Sequence, residues 1–177
     1  MTLNEILRDD AQGVYRTTAA LIRLVDGDML DWKPSTGSNW MTTGQLLKHL
    51  TEACGTVVRS FVTGDWGMPD GTDASEMPPE DMLPGAEAMA SVASVGEALE
   101  LLAEDEATAM ETFAAVSPER LANERSTAPW GGPELSLFQH CNGMIWHLAQ
   151  HKGQLFYYLK LQGKPVNTMH LWMGGEG

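Results

Sequence analysis

Residues Gly132 to Gly163, GPELSLFQHCNGMIWHLAQHKGQLFYYLKLQG, decide how the chain folds, because they read as one long, mostly buried helix carrying His140, His147 and His151. Pro133 suits the first helical turn, where its missing N–H has no intrahelical partner, and Gly163 followed by Pro165 supplies a stop. The pattern predicts a single rod. Residues four apart on a helix lie on one face about one turn apart, so His147 and His151 present their imidazoles to a common point. That is a two-ligand metal clip.

A third ligand has to come from another helix, and His49 is the candidate. It sits in TTGQLLKHLTEACGTVVRSFV, residues 42–62, where Leu46, Leu50, Cys54, Val57 and Phe61 mark an apolar face with the histidine at its edge. Three imidazoles with one position left open form a catalytic rather than a structural zinc-type site. His140, seven residues before His147, falls on nearly the same face but about 10 Å along the axis. It is a pocket residue at the mouth or a core histidine. Trp40, with Trp66, Trp130 and Trp146, offers apolar pocket walls or simply fills space. Gln154, three residues beyond His151, either holds an imidazole or a bound water from behind or is a partly exposed helical Gln, and Glu52, three residues after His49, either orients that ring or is an exposed helical acid. His170, in the tail, has no place in a site that the sequence can justify.

Two better-known metal motifs fail on inspection. HLAQH at 147–151 has zincin spacing, but Leu148 stands where the general-base Glu belongs. A ferritin-like di-iron site needs a Glu three residues before each ligating His, and Met144 and Leu148 occupy those positions. The acids Glu97, Glu100, Glu104 and Glu111 on a common helical stripe are therefore expected to be a solvated face.

Three more helices are predicted. The first runs from about Leu3 to Val25 behind a Thr2–Glu5 capping box, the second from Thr42 to about Val62 behind a Thr42–Gln45 box, and the third from Ser94, boxed by Glu97, to just before Pro118. No strand pattern competes with them, so the expected fold is all-α, a four-helix bundle formed as a single domain over 1–177. The connection 64–93 loses periodicity and is rich in Pro, Gly, Asp and Met. Its two readings are a lid or partner surface and a solvated mobile loop, with a short helix near 85–91.

The chain has 177 residues, 43% of them hydrophobic, enough for a sizeable core. All of the net charge of −13 lies between Ser60 and Pro118, which hold 13 acids and no Lys or Arg. Without a basic stripe, nucleic acid and anionic membrane surfaces are poor partners. No signal-peptide pattern opens the chain and no apolar run approaches the ~20 residues that span a bilayer, so a cytoplasmic location is expected. Cys54 and Cys141 both fall at apolar helical positions, as buried free thiols would.

The runs DWKP, SNW and GQLLKHL within 31–50, followed by HLAQHKGQLFYYLKLQG at 147–163, resemble the DinB/YfiT-like superfamily of four-helix-bundle metalloproteins. The resemblance implies a variant of up-and-down topology, metal ligands at His49, His147 and His151, and a supporting role for Gln154. Lys152 replaces the commoner Arg of that segment. The resemblance further implies metal-dependent hydrolases or transferases that use low-molecular-weight thiols, and homodimers. The combined expectation is an enzyme in which a divalent metal, Zn²⁺ or Ni²⁺, activates water or a thiol against a small-molecule substrate. The alternative is a non-catalytic metal- or ligand-binding bundle, stress-related in role.

Overall fold

The computed structural model describes residues 1–68 and 84–175. The first rod, α1, spans Leu3–Ile22, three residues short of the expected end. Its capping box is formed, with the Thr2 hydroxyl accepting the Glu5 amide and the Glu5 carboxylate accepting the Thr2 amide at 2.6 Å. Two donors that a helix start leaves orphaned are thereby satisfied.

The second rod corrects the sequence reading. Instead of one helix over 42–62 there are two, α2 (Thr43–Leu50) and α3 (Gly55–Thr63), with the chain unwound between them. The cause lies on the third rod, α4 (Val95–Ala115). Asp105, 3% exposed, takes the Gly55 and Thr56 amides at 2.8 Å each. In a continuous helix the Gly55 amide would have gone to the carbonyl of Thr51. Close approach also demands a glycine, because a Cβ on Gly55 would lie 1.9 Å from the Asp105 carbonyl oxygen.

Ser94 caps α4 by accepting the Glu97 amide at 3.0 Å, but the Glu97 carboxylate reaches past it to the Ala93 amide, so the expected third box is half formed. Glu97, Glu100, Glu104 and Glu111 are all exposed, as a solvated stripe requires. Residues 69–83, on which much of the lid-or-contact reading falls, lie outside the described residues. Of the connection's short helix, one turn of 3₁₀ helix is present at Ala86–Ala88.

After the short α5 (Pro118–Asn123), a two-residue ladder pairs β1 (Arg125–Ser126) with β2 (Leu135–Ser136). The expected helix start at 132 gives way to it. Gly131 and Gly132 turn the chain at φ 91° and 105°, and α6 (Leu137–Leu161) begins only behind a Ser136–Gln139 capping box. Its end is as expected, with Gly163 at φ 83°. A last helix, α7 (Thr168–Met173), lies against α1 and α6.

Packing sets the topology. α1 lies against α4 and α6, and α3 lies against the same two. The first and second rods thus face each other diagonally, and the order around the ring is first, third, second, fourth. This is the variant up-and-down bundle that was expected. Leu7, Tyr15, Leu46, Leu50, Phe113 and Leu155 are among the fully buried side chains of its core. Among the described residues no helix is long and apolar enough to cross a membrane.

Gly55→Ala should force α3 away from α4, since the atoms in the way are backbone. A loss of about 3 kcal/mol, the upper range for overpacking, corresponds to a Tm lower by roughly 10 °C for a chain of this size. Calorimetry of the purified variant checks it, and an unchanged Tm would contradict the close approach.

Candidate metal centre

His49 leaves the last turn of α2, while His147 and His151 leave successive turns of α6. All three rings are half-buried and turn their Nε2 atoms to one point. His49 Nε2 lies 3.3 Å from His147 Nε2 and 2.9 Å from His151 Nε2, and the last two are 2.9 Å apart. The ring planes cross at 77° to 90°, so the imidazoles meet tip to tip rather than stacking.

The opposite ring nitrogens fix what those tips carry. His147 Nδ1 lies 3.1 Å from the Ala53 carbonyl, a group that can only accept, so Nδ1 holds the proton. His151 Nδ1 lies 2.6 Å from Gln154 Oε1 in the same relation. In the neutral tautomers so selected, the Nε2 atoms of His147 and His151 are both bare lone pairs, 2.9 Å apart. One proton on His49 cannot bridge that gap fully, and two lone pairs at this distance repel. A Lewis acid between them removes the conflict. The edges of the triangle also approach the roughly 3.4 Å that ~2.1 Å metal–imidazole bonds subtend at tetrahedral angles. The three histidines could therefore hold a divalent metal ion.

The surroundings of His49 and His151 favour their neutral rings. Burial, then the neighbouring His151 and His147, lowers the His49 pKa to about 4. Burial also lowers that of His151, against the pull of its Gln154 bond. Among the described residues no other His, Cys, Asp or Glu joins the three.

The remaining candidates make other contacts. His140 is buried, stacked on Phe61 at 4.1 Å between centroids, with Nε2 3.0 Å from the Ser126 carbonyl. Trp40 bonds the Thr36 carbonyl through its indole N–H and meets Tyr158 edge-on at 6.3 Å. No hydrogen bond or ring contact ties either to the three imidazoles. Glu52 pairs with Lys48, and His170 with Asn167 in α7. Lys152 turns away from the centre, donating to the Leu171 carbonyl at 2.9 Å. A cleft of about 540 Å³ between α1, α6 and α7, walled by Trp146 and Trp172, contains none of the three histidines. What the sequence did not disclose is the Ala53 carbonyl, a backbone group exposed to His147 by the unwinding of the second rod.

A family model described as the DinB superfamily matches residues 11–155, a span that includes all three histidines and Gln154. No curated protein matches the chain.

The lowered His49 pKa sets a pH window for the metal-free protein. The unfolded chain takes up a proton near the ordinary 6.5 and the folded one only near about 4, so between these values the unfolded state holds more protons. Stability should fall as the pH drops from 6.5 towards 4 and level off below. Thermal melts in chelator across that range measure the slope, which His49→Gln should reduce.

Proposed function

This chain belongs to the DinB superfamily, and we propose that its three-histidine centre is the active site of a metal-dependent enzyme, activating water or a low-molecular-weight thiol for hydrolysis or thiol transfer. The observation that carries the reading is the pair of facing Nε2 lone pairs on His147 and His151, each fixed by a hydrogen bond behind its ring. A divalent cation such as Zn²⁺ or Ni²⁺ supplies a Lewis acid that brings water or a thiol into its reactive, deprotonated form near neutral pH.

The chain's own groups do the rest. Ala53 and Gln154 hold two rings in the ligating tautomer, and burial discourages protonation from competing with the metal. The three histidines are half-buried, so the cluster keeps some contact with solvent. Cys54 and Cys141 are buried and their thiols pushed up to about 12, chiefly by burial, so neither suits the role of nucleophile at neutral pH. That favours a nucleophile brought from outside. A structural centre would instead call for a fourth ligand from the chain, and none joins the group among the described residues. The homodimer expected of the family finds support in Trp146, Tyr157 and Leu161, 62%, 64% and 65% exposed along one side of α6.

The test is to load the metal-free protein with Zn²⁺ or Ni²⁺ and assay ester and amide hydrolysis and thiol addition to electrophiles. His147→Ala should lose stoichiometric metal and at least 100-fold of any activity found, while Gln154→Ala should weaken metal binding about 10-fold with the fold intact. Metal content unchanged in His147→Ala would refute the centre, and activity indifferent to chelation would refute the mechanism. Sedimentation of Tyr157→Glu against the parent protein reads the pairing, which the charge should break.

A further inference from the structure

Asp105 sits on α4, on a different rod from every histidine of the centre, and has no Lys or Arg in ion-pair reach among the described residues. Its partners are all neutral donors. Oδ2 takes the Gly55 amide at 2.8 Å and the Tyr15 hydroxyl at 2.7 Å, and Oδ1 takes the Thr56 amide at 2.8 Å and its hydroxyl at 3.0 Å. The Tyr15 hydroxyl also lies 3.0 Å from the Gly55 amide, closing the bracket.

These contacts redirect backbone groups that a continuous helix would have used internally. With the Gly55 and Thr56 amides turned to the carboxylate, residues 51–54 unwind, and Cys54 takes φ −134°, ψ −72°. The Ala53 carbonyl, which would otherwise accept the Val57 amide, points to His147 Nδ1 at 3.1 Å. We propose that Asp105, with Tyr15, is a positioning residue for the three-histidine centre, acting through the interrupted second rod and the Ala53 carbonyl to fix His147 in the tautomer whose Nε2 is free to ligate.

The distinction from a plain stabilising role is that Asp105 carries a directional consequence at a ring it does not touch. An asparagine in its place keeps the size but turns an N–H₂ towards donors, so at least one of the four bonds must fail. The unwound segment then relaxes towards helix and Ala53 withdraws its carbonyl. His147, released from its acceptor, samples the other tautomer, with Nε2 protonated and unable to bind metal.

The decisive measurement is metal-independent. In ¹⁵N-labelled metal-free protein above pH 7, His147 should be the Nδ1–H tautomer, and Asp105→Asn should convert a substantial fraction to Nε2–H. Competitive titration with Zn²⁺ should show affinity lowered 10- to 100-fold in Asp105→Asn and several-fold in Tyr15→Phe, the size of effect typical of groups that orient ligands. Leu7→Ala, a core truncation on α1 away from the bracket, should lower the Tm while leaving both readouts at their parent values. Should Asp105→Asn fail to fold, Tyr15→Phe carries the test alone, since it removes a single donor. Parent-like tautomer and affinity in the folded variants would overturn the proposal. The metal arm rests on the reading of the centre given above, and the arms separate the two failures: a parent protein that binds no Zn²⁺ sinks the metal reading, while the tautomer shift still decides the role of Asp105.

Discussion

A buried carboxylate, Asp105, with no Lys or Arg in ion-pair reach among the described residues, joins the rods of this bundle. Tyr15 reaches it from α1, Gly55 and Thr56 from α3, and His147 of α6 is joined through Ala53, inside the unwound segment two residues before Gly55. Burying a charge away from water costs several kcal/mol unless hydrogen bonds replace the lost hydration. Four donors do so here, two of them amides at the start of α3, where the helix dipole also favours negative charge. The Tyr15 hydroxyl stays protonated and able to donate because burial above all, with the Asp105 carboxylate beside it, raises its pKa. Each bond to an ionised acceptor is worth about 1.5–3 kcal/mol, against about 1 kcal/mol for the helical bonds given up, so breaking the second rod is a sustainable exchange.

The break does more than satisfy a charge. It sets the direction of α3 independently of α2, and so allows α2 to lay His49 over α6 while α3 packs between α4 and α6. A straight rod of about twenty residues would have to meet both demands with one axis. Close approach at the joint is why position 55 is glycine, and Cβ-free contact there lets the α4 backbone seat against the first turn of α3.

Much of this was legible in the sequence, and the exceptions have physical reasons. The rods follow from 3.6-residue periodicity and from capping pairs such as Thr2–Glu5 and Thr42–Gln45, local signals that tertiary packing did not override. The meeting of His147 and His151 was legible because i,i+4 spacing is a geometric fact on any helix. The break was not, because Leu46, Leu50, Cys54, Val57 and Phe61 keep helical register straight across it. Its cause lies about fifty residues away, and Gly55 was the only local trace. Asp105 carried a signal that went unread: it falls with Ala98, Leu102, Ala109 and Thr112 on the buried face of α4, the one acid there, while its neighbours Glu97, Glu100, Glu104 and Glu111 face water. An ionisable residue in an apolar register is more informative than a stripe of exposed ones. The start of α6 was misplaced because Pro133 fits a first helical turn as well as it fits the approach to a strand, and the pairing that decides between them is with Arg125 and Ser126.

Side chains gathered from several helices face a tension between rigidity and reach. Two of the three histidines share a rod, where one backbone fixes their separation, and the third arrives from a helix only eight residues long. A short helix has little stiffness of its own, so its ring is only as well placed as its ends. At one end the Thr42–Gln45 box and the Gln45 bond to the Met89 carbonyl hold it, and at the other the chain enters the segment bracketed by Asp105. The same segment supplies the acceptor for His147. Placement of one imidazole and orientation of another thus depend on a single local conformation, and a change at that joint should disturb both together rather than either alone.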